Sequence, residues 1–493
     1  MALLYAIAIA VLTLYGANLL WLCRRSAGAG RLIPDASSGP PRDPSFPWPF
    51  VTVQLPIFNE PLVVERLIDA CVQLDYPRDR FEIQVLDDST DGTPRLVARC
   101  IAAGASRGVR IAHLRRPNRE GYKAGALQYG LTQAQGDFIA VFDADFVPRP
   151  DFLRRLIPAF ADERLGAVQA RWGHLNQDAS LLTRIQAVGL DTHFAVEQLA
   201  RRRADCFLNF NGTAGVWRRA AIVDAGGWQA DTIAEDLDLS YRAQLAGWGI
   251  EFMGDVEVPA ELPSTIEGLR TQQFRWTKGS VETARKLLRT LWTSRESFRR
   301  KVQGTFHMTG HLVFPFVLIA GLLHVPLQAA AHAGVGPGKA YFGWMALGLI
   351  GFAGFSLAQI FAQRRLYADW PRRLGILPIF MAGTVGMSIR NTIAVVEAFA
   401  GVSTPFVRTP KFGAAPGRRV SPGGFAGRRP AGSVALRIAY PLEFAMGVYS
   451  TAGVAYLLGT GQWDAVAFQL FFAVGFVLVA VGTFREARRK SVS

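Results

Sequence analysis

Residues 137–145 read DFIAVFDAD, an apolar run of strand character that ends in two aspartates one residue apart, Asp143 and Asp145. A short run rich in aromatic and β-branched residues between polar flanks is the pattern of a buried strand. On an extended segment the side chains at i and i+2 share a face, so both carboxylates can reach one divalent cation and a diphosphate held with it. Hard oxygen donors imply Mg²⁺ or Mn²⁺ and not zinc.

Working outward, strand-like runs at 51–57, 81–87, 109–114 and 137–142 alternate with helical stretches, one of which starts near Pro61. Such alternation predicts an α/β domain, a mostly parallel sheet covered by helices, with ligands at the carboxyl ends of the strands. The run 81–87 ends in Asp87-Asp88-Ser89-Thr90-Asp91-Gly92. That places carboxylates and a tight turn where a nucleotide could sit, although an Asp/Gly turn capping the next helix reads the same way. Downstream comes Ala234-Glu235-Asp236-Leu237-Asp238, either a source of a carboxylate base at Asp236 or a plain acidic helix start. The region closes with Gln272-Gln273-Phe274-Arg275-Trp276. Trp276 offers a flat face for stacking and Arg275 a partner for phosphate, unless the pair is an ordinary interfacial Trp beside Arg. Each motif is weak singly; their order along one chain is not.

Composition divides the 493 residues into two phases. Half of them are apolar, concentrated at the start and in the last third, while charged sequence fills roughly 50–300. Spanning candidates are 2–23, 305–333, 341–363, 437–459 and 463–484. The first has no basic stretch before it and no A-x-A site after it, which reads as an anchor and not a signal peptide. A sixth apolar stretch, 376–402, carries Arg390, Asn391 and Glu397, which would lie deep in lipid if it crossed. Treated as interfacial or re-entrant, it keeps all basic clusters on the side of the charged domain, with the N-terminus outside. The net charge of +15 sits largely in those clusters beside apolar runs, the pattern of positive-inside loops, so no nucleic-acid partner is expected. Four cysteines without metal-type or disulfide-type spacing fit a reducing, cytosolic setting.

The order Asp88, Asp143-x-Asp145, Glu235-Asp236 and Gln272-x-x-Arg275-Trp276 resembles the processive family-2 glycosyltransferases, the cellulose, chitin and hyaluronan synthases. Longer strings look like the plant cellulose-synthase-like mannan and glucan synthases and their bacterial relatives. They are 121–127 (GYKAGAL), 142–153 (FDADFVPRPDFL), 168–172 (VQARW), 210–217 (FNGTAGVW) and 261–265 (ELPST). The resemblance implies an α/β GT-A, Rossmann-like cytosolic domain inserted in an α-helical transmembrane domain, inversion at the anomeric carbon, and export of a β-linked polysaccharide. It implies donor contacts from Pro56, Asn59, Glu60, Asp88, Lys123, Asp143 and Arg275, and Mg²⁺ or Mn²⁺ on Asp143 and Asp145. Asp236, with Glu235 beside it, would supply the base, and Trp276, Gln272, Asn211, Gly212 and Thr213 would face the growing glycan. The run 406–411, FVRTPK, resembles the gating loop of cellulose synthases through Phe406, Thr409 and Lys411. Two positions depart from the pattern: Arg408 stands where Val is usual, and Ala234 where Thr precedes the Glu-Asp pair.

The expected layout is an anchor at 1–24, a Pro/Gly linker at 25–49 and the GT-A domain at 50–300. A transmembrane domain follows at 301–485, with the interfacial segment 376–402 and the gating-loop-like segment 403–436, and a basic cytosolic tail ends the chain at 486–493. The expected partners are a nucleotide-sugar donor, GDP-mannose or UDP-glucose, the glycan acceptor and the lipid bilayer of a bacterial inner or plasma membrane. Two rivals remain at this point, a nonprocessive enzyme making a glycolipid or polyprenyl-linked sugar, and a transporter or nucleotide-binding receptor. His193 and Glu197, four apart on a predicted helix with Asp191 nearby, could ligate a metal, but helix packing is the preferred reading.

Overall fold

The computed structural model describes residues 1–32, 46–413 and 434–492. Much of the linker expected at 25–49, and the basic clusters at Arg418, Arg419, Arg428 and Arg429, lie outside the described residues.

Seven strands form one mixed sheet, β1 (Val51–Ile57), β2 (Phe81–Asp87), β3 (Arg110–Leu114), β4 (Phe138–Val141), β5 (Leu165–His174), β6 (Gly215–Arg218) and β7 (Gly249–Ala260), in the order β3-β2-β1-β4-β6-β5-β7. The strands expected at 51–57 and 81–87 have those bounds, the one expected at 109–114 starts one residue later, and the one expected at 137–142 is one residue shorter at each end. Strands β1 to β4 and the pair β5·β7 are parallel, whereas β6 runs antiparallel to both β4 and β5. The sheet is therefore mostly parallel, as the alternating pattern implied, with β6 as the one reversed strand among the seven. Side-chain alternation on β4 feeds two cores: Phe138 and Ala140 enter one, Ile139 and Val141 the other. The sheet is thus covered on both faces, and its strand ends are the surface left for ligands.

Among the described residues four helices are long and apolar enough to cross a membrane: Ala2–Ser26, Phe298–His332, Lys339–Leu366 and Trp463–Glu486. Their apolar side chains face outward, Leu3, Leu14, Trp344, Leu349 and Val481 among them, as in a chain solvated by lipid. Close approach holds two of them together. A Cβ built on Gly16 would lie 2.1 Å from the Gly351 Cα, so the backbones touch there as small residues allow in membranes. The fifth expected span, 437–459, is the 26-residue helix Val434–Gly459, which carries Glu443 and is not among the four.

The stretch 376–402 forms a bent pair, Trp370–Gly386 and Ser388–Ala400, meeting at 43°. Its charges turn to protein. Arg390 pairs with Glu267 at 3.1 Å and Glu397 with Lys278 at 3.0 Å, both partners lying on the long helix Ile266–Thr293. The same helix places Arg270 against Glu443 as a fully buried pair. A charge in this position is tolerated because a partner desolvates with it.

Candidate active site

One pocket opens at the carboxyl ends of β1, β2 and β4. It is lined by Pro56, Glu60, Asp88, Lys123, Asp143, Asp145, Asn211, Glu235, Asp236, Gln272, Arg275, Trp276, Phe406, Thr409 and Lys411. Residues from positions 56 to 411 meet there because the sheet order brings the ends of β1, β2 and β4 side by side, and Ile266–Thr293 and the segment after residue 402 close over them.

Lys123 joins the two acidic motifs. Its Nζ lies 2.7 Å from Asp143 Oδ1 and 3.6 Å from Glu235 Oε1, and donates to the Gly212 carbonyl at 2.9 Å. Burial alone would lower the Lys123 pKa, but Asp143 and Glu235 outweigh it and hold the ammonium above its ordinary range. Asp236 lies in the first turn of the helix Glu235–Leu245, where its Oδ1 accepts from the Leu237 N–H at 2.8 Å. A helix N-terminus favours an ionised carboxylate. Burial, then the adjacent Glu235, win over that effect and over Lys123, raising the Asp236 carboxyl to about 7.

Backbone strain gathers on the same walls. Asn59, Tyr122 and Ala214 have positive φ without being glycine, and Gly212 sits at φ +76°. A Cβ on Gly212 would stand 2.9 Å from Asp236 Oδ2, so only glycine lets this backbone lie against the carboxylate. Thr213 is buried beneath, its Oγ1 accepting from the Asp143 N–H at 2.9 Å. Three expected site residues, Asn59, Gly212 and Thr213, thus back the pocket and do not line it; the Asn59 side chain accepts from the Thr90 N–H at 2.8 Å.

Two arginines, Arg116 and Arg119, escaped the sequence reading, and a third, Arg408, was marked there only as a departure from the loop pattern. Arg116 grips Asp88 through two bonds, at 3.0 and 2.5 Å, so the carboxylate expected to meet the nucleotide is already oriented. Arg119 stacks over Phe58 at 3.4 Å and Tyr122 at 5.0 Å. Tyr122 lies 5.9 Å from Phe406, and Phe406 receives Arg275 at 4.5 Å, which completes a cation and aromatic ladder along one wall. The third is Arg408, which pairs with buried Glu60. The only sequence signal for the first two was the basic run 115–119 after β3.

Asp143 and Asp145 carry Lys123 and Lys411, at 2.7 and 2.5 Å. Among the described residues no group of three or more His, Cys, Asp or Glu is arranged to hold a metal ion. Two hard carboxylates fit Mg²⁺ or Mn²⁺, whose shell would then be completed by donor phosphate oxygens and water.

A parallel-stranded sheet carrying an acidic strand end, with an antiparallel strand inserted, is the architecture of a GT-A glycosyltransferase domain. Residues 48–279, a little under half of the chain, match the family described as glycosyltransferase like family 2. Over about half of its length the chain is similar to glucomannan 4-β-mannosyltransferases. It is 43% identical over 281 residues to number 1 of Oryza sativa subsp. japonica, covering 56% of this chain and 53% of the relative. With number 2 of Arabidopsis thaliana it shares 47% over 246 residues, 49% of this chain and 46% of the relative. The chain thus spans about half the length of these curated relatives. The solved mannosyltransferase PcManGT from Pyrobaculum calidifontis, in complex with GDP-Man and Mn²⁺, shares the fold at TM-score 0.56 and 22% identity, covering 82% of this chain and all of that one.

Proposed function

We propose that this chain is an inverting, processive hexosyltransferase. It polymerises mannose from GDP-mannose, with UDP-glucose as the alternative donor, into a β-1,4-linked polysaccharide and exports it across the membrane. The observation that carries this reading is a single pocket uniting Asp143, Asp145 and Asp236 with Gln272, Arg275, Trp276 and the segment 406–411. Similarity to enzymes named 4-β-mannosyltransferases supports mannose as the sugar.

In this reading a sugar hydroxyl of the acceptor, stacked on Trp276, attacks the anomeric carbon opposite the departing diphosphate. The bond from that carbon to the diphosphate oxygen breaks, the new glycosidic bond forms, and the hydroxyl proton passes to the Asp236 carboxylate. A carboxyl poised near 7 suits that transfer at neutral pH. Asp143 and Asp145 would hold Mg²⁺ or Mn²⁺, which when bound stabilises the charge developing on the leaving group. Phe406, Thr409 and Lys411 cover the donor end, and Thr409 Oγ1 accepts from Arg275 at 3.0 Å, which fits a segment that excludes water from the reacting centre. The catalytic domain faces the cytosol of a bacterial inner or plasma membrane, where basic clusters are retained and nucleotide sugars are available.

The test is purified protein in nanodiscs with Mg²⁺ or Mn²⁺, given radiolabelled GDP-mannose and UDP-glucose in parallel, with Asp236→Asn as control. Label in a high-molecular-weight product digested by β-mannanase is the expected result. Label confined to the organic extract would establish a glycolipid-forming enzyme instead.

A further inference from the structure

We infer that His193 and Gln198 are positioning residues that aim the Asn211 amide at the acceptor sugar, an inference that rests on the glycosyltransferase reading above.

The structure takes the Asp191, His193 and Glu197 constellation apart. Asp191 lies 2.9 Å from His174 Nε2 and accepts from Gln363 Nε2 at 2.9 Å, while Glu197 pairs with Arg201 at 3.0 Å. His193 turns the other way, its Nε2 lying 2.8 Å from Asn211 Nδ2. Gln198 holds the other end of the same amide, its Nε2 donating to Asn211 Oδ1 at 3.0 Å and to the Asn209 carbonyl at 2.6 Å. Hydrogen-bond accounting then fixes every role. The Asn211 oxygen accepts, so its nitrogen is the donor to His193. The His193 Nε2 must therefore be the unprotonated acceptor, and the ring proton sits on Nδ1.

Local backbone geometry makes this double grip possible. In an α-helix, residues five apart point about 140° away from one another. His193–Gln198 is instead a π-helical turn, whose i to i+5 spacing stacks the two side chains on one side. Such turns carry a helical penalty and recur at functional sites.

Asn211 spends one Nδ2 hydrogen on His193 and keeps the second for the pocket that it lines together with Asp236 and Trp276. Its neighbour Gly212 lies against Asp236 and takes the Lys123 ammonium on its carbonyl. The side-chain bonds of Asn211 itself run to His193 and Gln198 and not to the Lys123–Asp143 pair, so a turned amide is felt first at the acceptor end.

The experiment uses the full chain in nanodiscs with GDP-mannose and a soluble β-1,4-mannooligosaccharide acceptor, comparing His193→Ala, His193→Gln, Asn211→Ala and the double variant His193→Ala/Asn211→Ala. Loss of one such hydrogen bond should raise the acceptor KM of His193→Ala about tenfold, with the donor KM within about twofold. Glutamine at 193 retains an acceptor oxygen and should recover most of the loss. Because His193 acts through Asn211, the double variant should be no worse than Asn211→Ala. KM is independent of the folded fraction, so partial misfolding of one variant does not spoil the comparison. Losses that multiply in the double variant, or a donor KM that rises as much as the acceptor KM, would overturn the inference while wild-type transfer stays intact. A wild-type protein that transfers no sugar overturns the reading beneath it.

Discussion

Lys411 Nζ lies 2.5 Å from Asp145 Oδ1, although 266 positions separate the two residues. The contact ties the segment after the bent helix pair to the strand end that carries the acidic motif. Burial would lower the Lys411 pKa, but Asp145 and Glu60 hold it above its ordinary value, so it stays a cation throughout the physiological range. In the proposed reaction, with Mg²⁺ or Mn²⁺ held by Asp145, the Lys411 ammonium would be released to meet the donor's diphosphate. Lys411→Ala should raise the donor KM about tenfold at saturating Mn²⁺, a loss of about 1.4 kcal/mol. Steady-state rates at varied GDP-mannose check it.

Asp236→Asn should lower kcat by about 10²- to 10⁴-fold while donor binding is retained. The carboxyl is raised to about 7 and must be ionised to accept a proton, so kcat/KM should climb as pH rises through about 7 and level off above it. A profile that is flat between about pH 5.5 and 8 would remove Asp236 from the role.

Chelation should stop incorporation, and Mn²⁺ or Mg²⁺ should restore it where Zn²⁺ does not, since the donor set is two carboxylates. Asp143→Asn should need a higher metal concentration for half-maximal rate, read from a Mn²⁺ titration.

Arg270→Ala leaves the Glu443 carboxyl buried without its partner between the helices Ile266–Thr293 and Val434–Gly459, at a cost of about 3–5 kcal/mol. Thermal unfolding in detergent should show a large drop in midpoint. Replacing both partners, as Arg270→Met with Glu443→Leu, should recover most of it, because no lone charge is left behind.

Gly212→Ala places a methyl group 2.9 Å from Asp236 Oδ2 at a backbone φ of +76°. The left-handed conformation alone costs about 1–2 kcal/mol for a residue with a Cβ. The variant should fold with a slightly lowered midpoint and lose kcat well beyond that, since the displaced group is the carboxylate itself.

How much of this was legible in the chain follows from the range of each interaction. Periodicity is local, and it located β1 and β2 to the residue because seven alternating or buried positions specify a strand without reference to any partner. The short strand β6 lacked that signal, and its antiparallel place between β4 and β5 depends on pairing with both. Motif order pointed to Asp143, Asp145 and Asp236 because carboxylates at strand ends and helix starts are readable as patterns. The sequence could also flag Arg390 and Glu397 as misplaced in lipid, yet their partners Glu267 and Lys278 lie over 100 positions away. The grip of Arg116 on Asp88, the pairing of Arg408 with Glu60 and the turn of His193 toward Asn211 were decided by tertiary structure alone. Each needs two elements to dock before the charge or the hydrogen bond exists, and no one-dimensional spacing encodes that docking.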